Sequence, residues 1–153
     1  MNATTRTRRA DSLSELEQEV GVMIRRIRRV LWERARAIHP DLQPASYLML
    51  AYLAEHGQLR ASTLAEALVI DKGAVSRQLG HLVELGLVDR TPDPADGRAS
   101  LLTASATAVG RINDVIEDRR RWLDERLGDW TDEELGGFAR ELGRYNAALD
   151  ERA

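Results

Sequence analysis

Four side chains in the middle of the chain have the type and spacing to donate hydrogen bonds from one surface: Ser76, Arg77, His81 and Arg98. The guanidinium of Arg77 carries a fork of donors that matches the two acceptors on the major-groove edge of guanine. Ser76 and His81 are shorter and reach a base edge or a phosphate. Arg98 follows Asp96-Gly97 at the tip of a turn-rich segment, and a tip arginine suits the negative potential of a minor groove. Arg90 lies at the base of the same segment, where it can pair with Asp96 or touch phosphate. This is the chemistry of duplex recognition, and it needs a scaffold that aims all of these groups one way.

The scaffold is legible in the spacing. Leu64, Ala65 and Leu68 mark the apolar side of a short helix over 62–68, with Ser62 expected as its N-cap. Ile70 plugs the corner that follows. Asp71 is expected to cap a second helix running to about Leu85, with Gly86 as its stop. Val75, Leu79 and Leu82 form the inner stripe of that helix. At ~100° per residue from Val75, the residues Gly73, Arg77, Gly80, His81 and Glu84 fall between about 140° and 240°, on the outer face. Ala74 and Ser76 flank that sector. Glycines inside a helix cost ~1 kcal/mol each relative to alanine, so Gly73 and Gly80 on the outer face suggest a close approach by something else. Two helices joined by a tight corner make a helix-turn-helix.

A hairpin is expected next. Its strands are 87–91 and 99–103, and its long loop is Thr91-Pro92-Asp93-Pro94-Ala95-Asp96-Gly97-Arg98. Val69 stands at a corner position that favours glycine, so the corner is expected to avoid the left-handed conformation.

Helices flank this unit. Leu13, Leu16, Val20, Ile24, Ile27, Leu31, Ala35 and Ile38 recur at steps of three and four, one stripe on a long helix. Ser12 and Glu15 read as its capping box and Pro40 as its stop. Arg25, Arg26, Arg28 and Arg29 lie on its polar side as a solvated face. Pro44 opens another helix to Glu55, with Gly57 beyond it. After Ala104, helical spacing resumes, and Thr131 with Glu134 forms a capping box for a last helix.

Other chemistry is poorly supported. The chain has no Cys, so it lacks a disulfide, a thiolate nucleophile and any Cys-ligated metal. His39, His56 and His81 make no metal-binding spacing, no phosphate loop or nucleophile elbow occurs, and no cofactor is expected. No apolar run approaches the ~20 residues of a membrane span, and a cytoplasmic placement is expected. The net charge is −3 and is uneven. Residues 1–40 hold nine Arg against five acids; residues 41–110 hold five basic and eight acidic residues. A nucleic-acid face must therefore rest on a few placed donors, not on bulk positive charge.

The run Asp71-Lys72-Gly73-Ala74-Val75-Ser76-Arg77-Gln78-Leu79, with Leu82, Leu85-Gly86-Leu87-Val88-Asp89-Arg90, Asp93, Asp96, Arg98 and Leu102-Thr103, closely resembles the MarR family of multiple antibiotic resistance regulators. The resemblance extends over nearly the whole chain. It implies a mainly α, winged helix-turn-helix fold with a two-stranded β-wing and long N- and C-terminal dimerisation helices. It implies a homodimeric regulator of transcription, acting as a repressor on double-stranded DNA at a near-palindromic operator. Ser76, Arg77 and His81 would be its recognition-helix contacts and Arg98 its wing contact. His81 stands where members commonly carry Arg or Lys. The full DNA-facing set expected is Ser62, Thr63, Lys72, Ala74, Ser76, Arg77, His81, Arg90 and Arg98.

The family often senses small aromatic or phenolic anions in a cleft. Trp32, Arg36, His39 and Tyr47 fall where that cleft would be, against the plainer reading of core aromatics beside a surface Arg. The chain is expected as one domain over 1–153. Its parts are a flexible arm (1–11), dimerisation helices (12–40 and 104–150) and a winged lobe (44–103). Dimerisation also follows from the stripes themselves: Trp32, Trp122 and Trp130 with two amphipathic ends need a self-complementary partner. Two other readings compete. A winged helix that docks on protein fits the acidic balance of 41–110, and the dimerisation part of an enzyme fits poorly with a chain of 153 residues.

Overall fold

The structure is a computed structural model that describes residues 3–150, with side chains from Arg8 onward. It has six helices and a small antiparallel sheet among the described residues: α1 (Ala3–Ile38), α2 (Pro44–His56), β1 (Leu59–Arg60), α3 (Ala61–Leu68), α4 (Lys72–Glu84), β2 (Val88–Asp93), β3 (Asp96–Ala104), α5 (Ala106–Arg126) and α6 (Asp132–Asp150). The fold is a mainly helical winged helix-turn-helix. Contacts divide the chain into two compact units, Met1–Val115 and Ile116–Ala153.

In the first unit, α2, α3 and α4 enclose Leu50, Leu53, Leu64, Val75, Leu79 and Leu82, all fully buried. Burying one such side chain contributes ~1.5–3 kcal/mol. Leu87, Val88 and Leu102 seal the core from the sheet side. Ser46 of α2, itself buried, donates to Oε1 of Gln78 on α4 at 3.1 Å. That bond satisfies a hydroxyl that would otherwise be costly inside.

The first helix begins at Ala3, earlier than expected. Ser12 is therefore not a cap but an interior residue whose hydroxyl donates to the carbonyl of Arg8 at 3.0 Å. The expected arm over 1–11 is helical from Ala3, and Met1 and Asn2 lie outside the described residues. Of the α1 stripe only Ala35 and Ile38 are buried, while Leu13, Leu16, Ile24 and Ile27 are exposed. The helix stops at Ile38 because His39 precedes Pro40. Arg111 of α5 donates to the free carbonyl of Ile38 at 2.8 Å.

Three local expectations need correction. Ser62 does not cap α3: the helix starts one residue earlier, Arg60 holds the cap position, and Ser62 lies exposed in the first turn. The stretch after α2 contains β1, which pairs with β3 through Leu59↔Leu102 and Arg60↔Leu101. The sheet order is β1-β3-β2, so the wing is the outer part of a three-stranded sheet and β3 is its middle strand. The hairpin loop is also shorter than expected, because β2 runs on through Pro92 to Asp93. Pro92 is tolerated there because β2 is an edge strand. The register jumps from Pro92↔Ser100 to Asp93↔Asp96, leaving Gly97, Arg98 and Ala99 bulged out of the ladder.

The corner between α3 and α4 does adopt the left-handed conformation. Val69 sits at φ 53° and ψ 47°. Its N–H donates to Glu66 and the N–H of Ile70 to Ala65 at 3.0 Å, a Schellman ending. The same bonding closes α4, where Gly86 at φ 69° precedes Leu87, whose N–H donates to Leu82. Glycine adopts this conformation freely, whereas an L side chain loses about 1–2 kcal/mol.

In the second unit α6 buries no residue. Its start is the expected box: Thr131 N–H donates to Oε2 of Glu134 at 2.8 Å, and Glu134 N–H donates to the Thr131 hydroxyl at 3.2 Å. The bond from the Thr131 N–H, with one that the Thr131 hydroxyl donates to the same oxygen, holds the Glu134 carboxyl below its ordinary range. Trp130 and Phe138 meet edge to face at 5.8 Å, yet both remain half exposed, as do Trp122 and Leu149.

Candidate nucleic-acid interface

The outer face of α4 is fixed by its cap and its core stripe. Asp71 accepts from Ala74 N–H at 3.0 Å, which satisfies one orphan donor of the first turn. With Val75, Leu79 and Leu82 buried, Gly73, Ser76, Arg77 and Glu84 are exposed. Lys72 opens the helix and is exposed; Ala74 and His81 are half-buried. Lys72, Ser76 and Arg77 are thus the exposed donors of the helix, and His81 is half-buried.

Gly73 has a reason inside the molecule. A methyl group there would stand 3.1 Å from Oδ1 of Asp71 and 3.6 Å from a guanidinium nitrogen of Arg77. The capping carboxylate therefore occupies part of the space a side chain would need. At Gly80 nothing lies within 4 Å of that position. The two glycines look alike in sequence and differ in structure.

Ser62 and Thr63 are exposed on the first turn of α3. Arg90 is exposed on β2, opposite Leu102 in register. The expected pairing of Arg90 with Asp96 is not formed. Asp96 instead accepts the backbone N–H of Arg98 at 3.1 Å, closing a small turn at the bulge that presents the exposed Arg98 side chain.

The wing has an anchor that sequence reasoning missed. Arg60 pairs with Asp93, and its Nε donates to Oδ2 at 2.6 Å. Asp93 is buried, and its other oxygen accepts the N–H of Ala95 at 2.8 Å. The Ala95 bond and then Arg60 hold the Asp93 carboxyl below its usual range, against the opposing effect of burial. Gln58 adds a bond to Thr91 at 3.2 Å. The only sequence signal was Asp93-Pro94-Ala95, an Asx-type turn, since the partner Arg60 lies 33 residues away.

The four residues expected around an effector do not share one environment. Tyr47 is in the core. Trp32 is exposed on α1 with the Arg36 guanidinium 5.7 Å from its ring centre, a cation–π pair. His39 is half-buried, and its Nδ1 accepts from Asp41 N–H at 3.2 Å. Among the described residues, no group of three or more His, Cys, Asp or Glu gathers to hold a metal.

Comparison with known proteins agrees with this geometry. The MarR family matches residues 41–99, the span from the end of α1 through the wing bulge. A Bacillus subtilis protein named as the uncharacterised HTH-type transcriptional regulator YxaD is 32% identical over 134 residues, covering 88% of this chain and 92% of its own. The HTH-type transcriptional repressor MdtR of Bacillus subtilis is 28% identical over 92 residues, 60% of this chain and 59% of its own. Among solved structures, a mutant MarR from E. coli complexed with operator DNA superposes with a TM-score of 0.66 at 21% identity, covering 88% of this chain and 96% of that one. With the capped α4, the Schellman corner and the bulged wing in place, the chain belongs to the MarR family of helix-turn-helix transcriptional regulators.

Proposed function

We propose that this chain binds double-stranded DNA as a homodimer and represses transcription at a near-palindromic operator. The observation that carries the reading is the outer face of α4, where Ser76 and Arg77 stand exposed beside a bulged wing bearing Arg98. In this reading α4 enters the major groove and Arg98 the adjacent minor groove. Ser62, Thr63, Lys72 and Arg90 contact phosphate, and Ala74 and His81 lie near the base edges. Support for the homodimer comes from each unit separately: the exposed Leu13, Leu16, Ile24 and Ile27 of α1, and the exposed Phe138 and Leu149 of α6. Repression is the role named for MdtR, and operator DNA is what the E. coli protein was solved with. The protein works in the cytoplasm, where its DNA is.

A small aromatic or phenolic anion releases the operator. Its chemistry fits Trp32 with Arg36, an exposed ring beside a cation; of the expected set, His39 lies half-buried just past α1 and Tyr47 in the core, apart from that exposed pair.

The test is fluorescence anisotropy with the duplex upstream of the chain's own gene. Native protein binds with a steep salt dependence, and Arg77→Ala loses ~1–3 kcal/mol if the arginine makes a bidentate base contact. Binding that ignores both salt and Arg77→Ala sinks the idea.

A further inference from the structure

Val69 is a β-branched residue at φ 53° with 91% of its surface exposed. Nothing within the protein compensates the strained backbone by burying the side chain. The chain has a relaxed solution to the same turn and uses it at Gly86. Glycine or asparagine at 69 would close the corner equally well. The next residue, Ile70, packs against the core, so the burial needed at the corner is already supplied. A strained, solvent-facing isopropyl group therefore points to a contact made outside the molecule.

Its place in the fold identifies the contact. Val69 stands two residues before Asp71, the cap of α4. In a helix-turn-helix the N-terminal residues of the second helix approach the base edges, so the corner that feeds them approaches with them. Val69 rims an open depression lined also by Ala65, Glu66, Ile70 and Lys72. Lys72 supplies a charge for phosphate, while an isopropyl group gains only from apolar atoms. A duplex offers two kinds: the methyl group of thymine and the carbons of deoxyribose.

We propose that Val69 is an apolar DNA contact, packing on a thymine methyl or on a deoxyribose beside the site of α4. The inference rests on the DNA-binding reading above and adds a residue that makes no hydrogen bond to the duplex. The strain at the corner is kept because the side chain it carries is used on the nucleic acid.

The test uses a duplex selected by the native full-length chain from a random pool, and two variants. Val69→Gly removes the side chain and the strain. Val69→Asn keeps comparable bulk, tolerates the left-handed conformation and makes the surface polar. Both variants are expected to melt at the native temperature or a few degrees higher. Both are expected to bind roughly 5- to 20-fold more weakly, the loss for withdrawing one or two methyl groups from an apolar contact. Single replacement of each thymine by deoxyuridine then separates the two sources. A thymine contact shows as one position per half-site where the native chain weakens and Val69→Gly does not. A deoxyribose contact shows as variant losses that no deoxyuridine reproduces. Native affinity in both variants, or a loss confined to Val69→Gly, overturns the inference and leaves DNA binding standing. A native chain that selects no duplex overturns the DNA-binding reading itself, and this inference with it.

Discussion

Arg60 and Asp93 form a half-buried bond between the strand that precedes α3 and the turn of the wing, with Nε of Arg60 2.6 Å from Oδ2 of Asp93. Because Asp93 also accepts from Ala95, one carboxylate fixes both the turn and its attachment.

Asp93→Asn should expose that role through pH. The folded carboxyl titrates below its ordinary value of 3.8, so its contribution is in place above that value. It fades as pH drops beneath 3.8 toward the lower folded value. Urea melts across the acid range should show part of the native acid sensitivity missing in Asp93→Asn. Parallel pH curves for the two proteins would remove Asp93 from the account.

Arg98→Ala should weaken operator binding and lower the salt slope by about 1 per lost contact. It should also relax any preference for A·T pairs flanking the half-sites, because a narrow minor groove is what draws an arginine in. Competition titrations at several salt concentrations measure both effects. An unchanged slope with unchanged flank preference would place Arg98 off the duplex.

The two glycines of α4 should respond differently. Gly80→Ala meets open space and should stabilise the protein by about 1 kcal/mol. Gly73→Ala gains the same propensity but crowds the Asp71 cap at 3.1 Å, so its net gain should be smaller or reversed. Chemical denaturation of both variants decides. If Gly80→Ala nevertheless loses DNA affinity, the open space at 80 is where the duplex approaches.

Sedimentation equilibrium should report about twice the chain mass of 17.1 kDa. Ile24→Lys, placed in the exposed stripe of α1, should shift that mass toward the monomer while leaving the winged core folded. A native monomer at micromolar concentration would refute the homodimer.

A substituted benzoate should quench tryptophan emission and raise the anisotropy-measured Kd for operator. Trp32→Phe should lose the quench, and Arg36→Gln should weaken the effect on Kd. An operator Kd indifferent to aromatic anions would leave Trp32 and Arg36 as surface residues only.

What the sequence disclosed was what local chemistry encodes. Asp71 before an apolar stripe and Gly86 after it define α4, and the orientation of Arg77 follows from 3.6 residues per turn. Features set by distant partners stayed hidden. β1 is two residues long and carries no periodicity; only pairing with β3 makes it a strand. Pro92 reads as loop in sequence, yet an edge strand asks no N–H of it. The start of α1 was misplaced because Ser12 and Glu15 mimic a box in the middle of a continuing helix. Val69 was expected to avoid the left-handed region on steric grounds, and two backbone hydrogen bonds at the corner outweigh that cost. The effector set was the least legible, because aromatic type alone does not separate a core Tyr47 from an exposed Trp32.

The middle position of β3 has a mechanical meaning. Leu102 stands in register on one side with Leu59, at the root of α3, and on the other with Arg90 in the wing. Wing and helix pair are thus clamped to a single rod and behave as the jaws of a fixed gauge. In the proposed DNA-bound arrangement, such a gauge would measure the gap between a major-groove site and the neighbouring minor groove, and penalise any duplex whose local twist changes that gap. A base pair inserted between the two contact points should cost affinity even where every contacted base is kept.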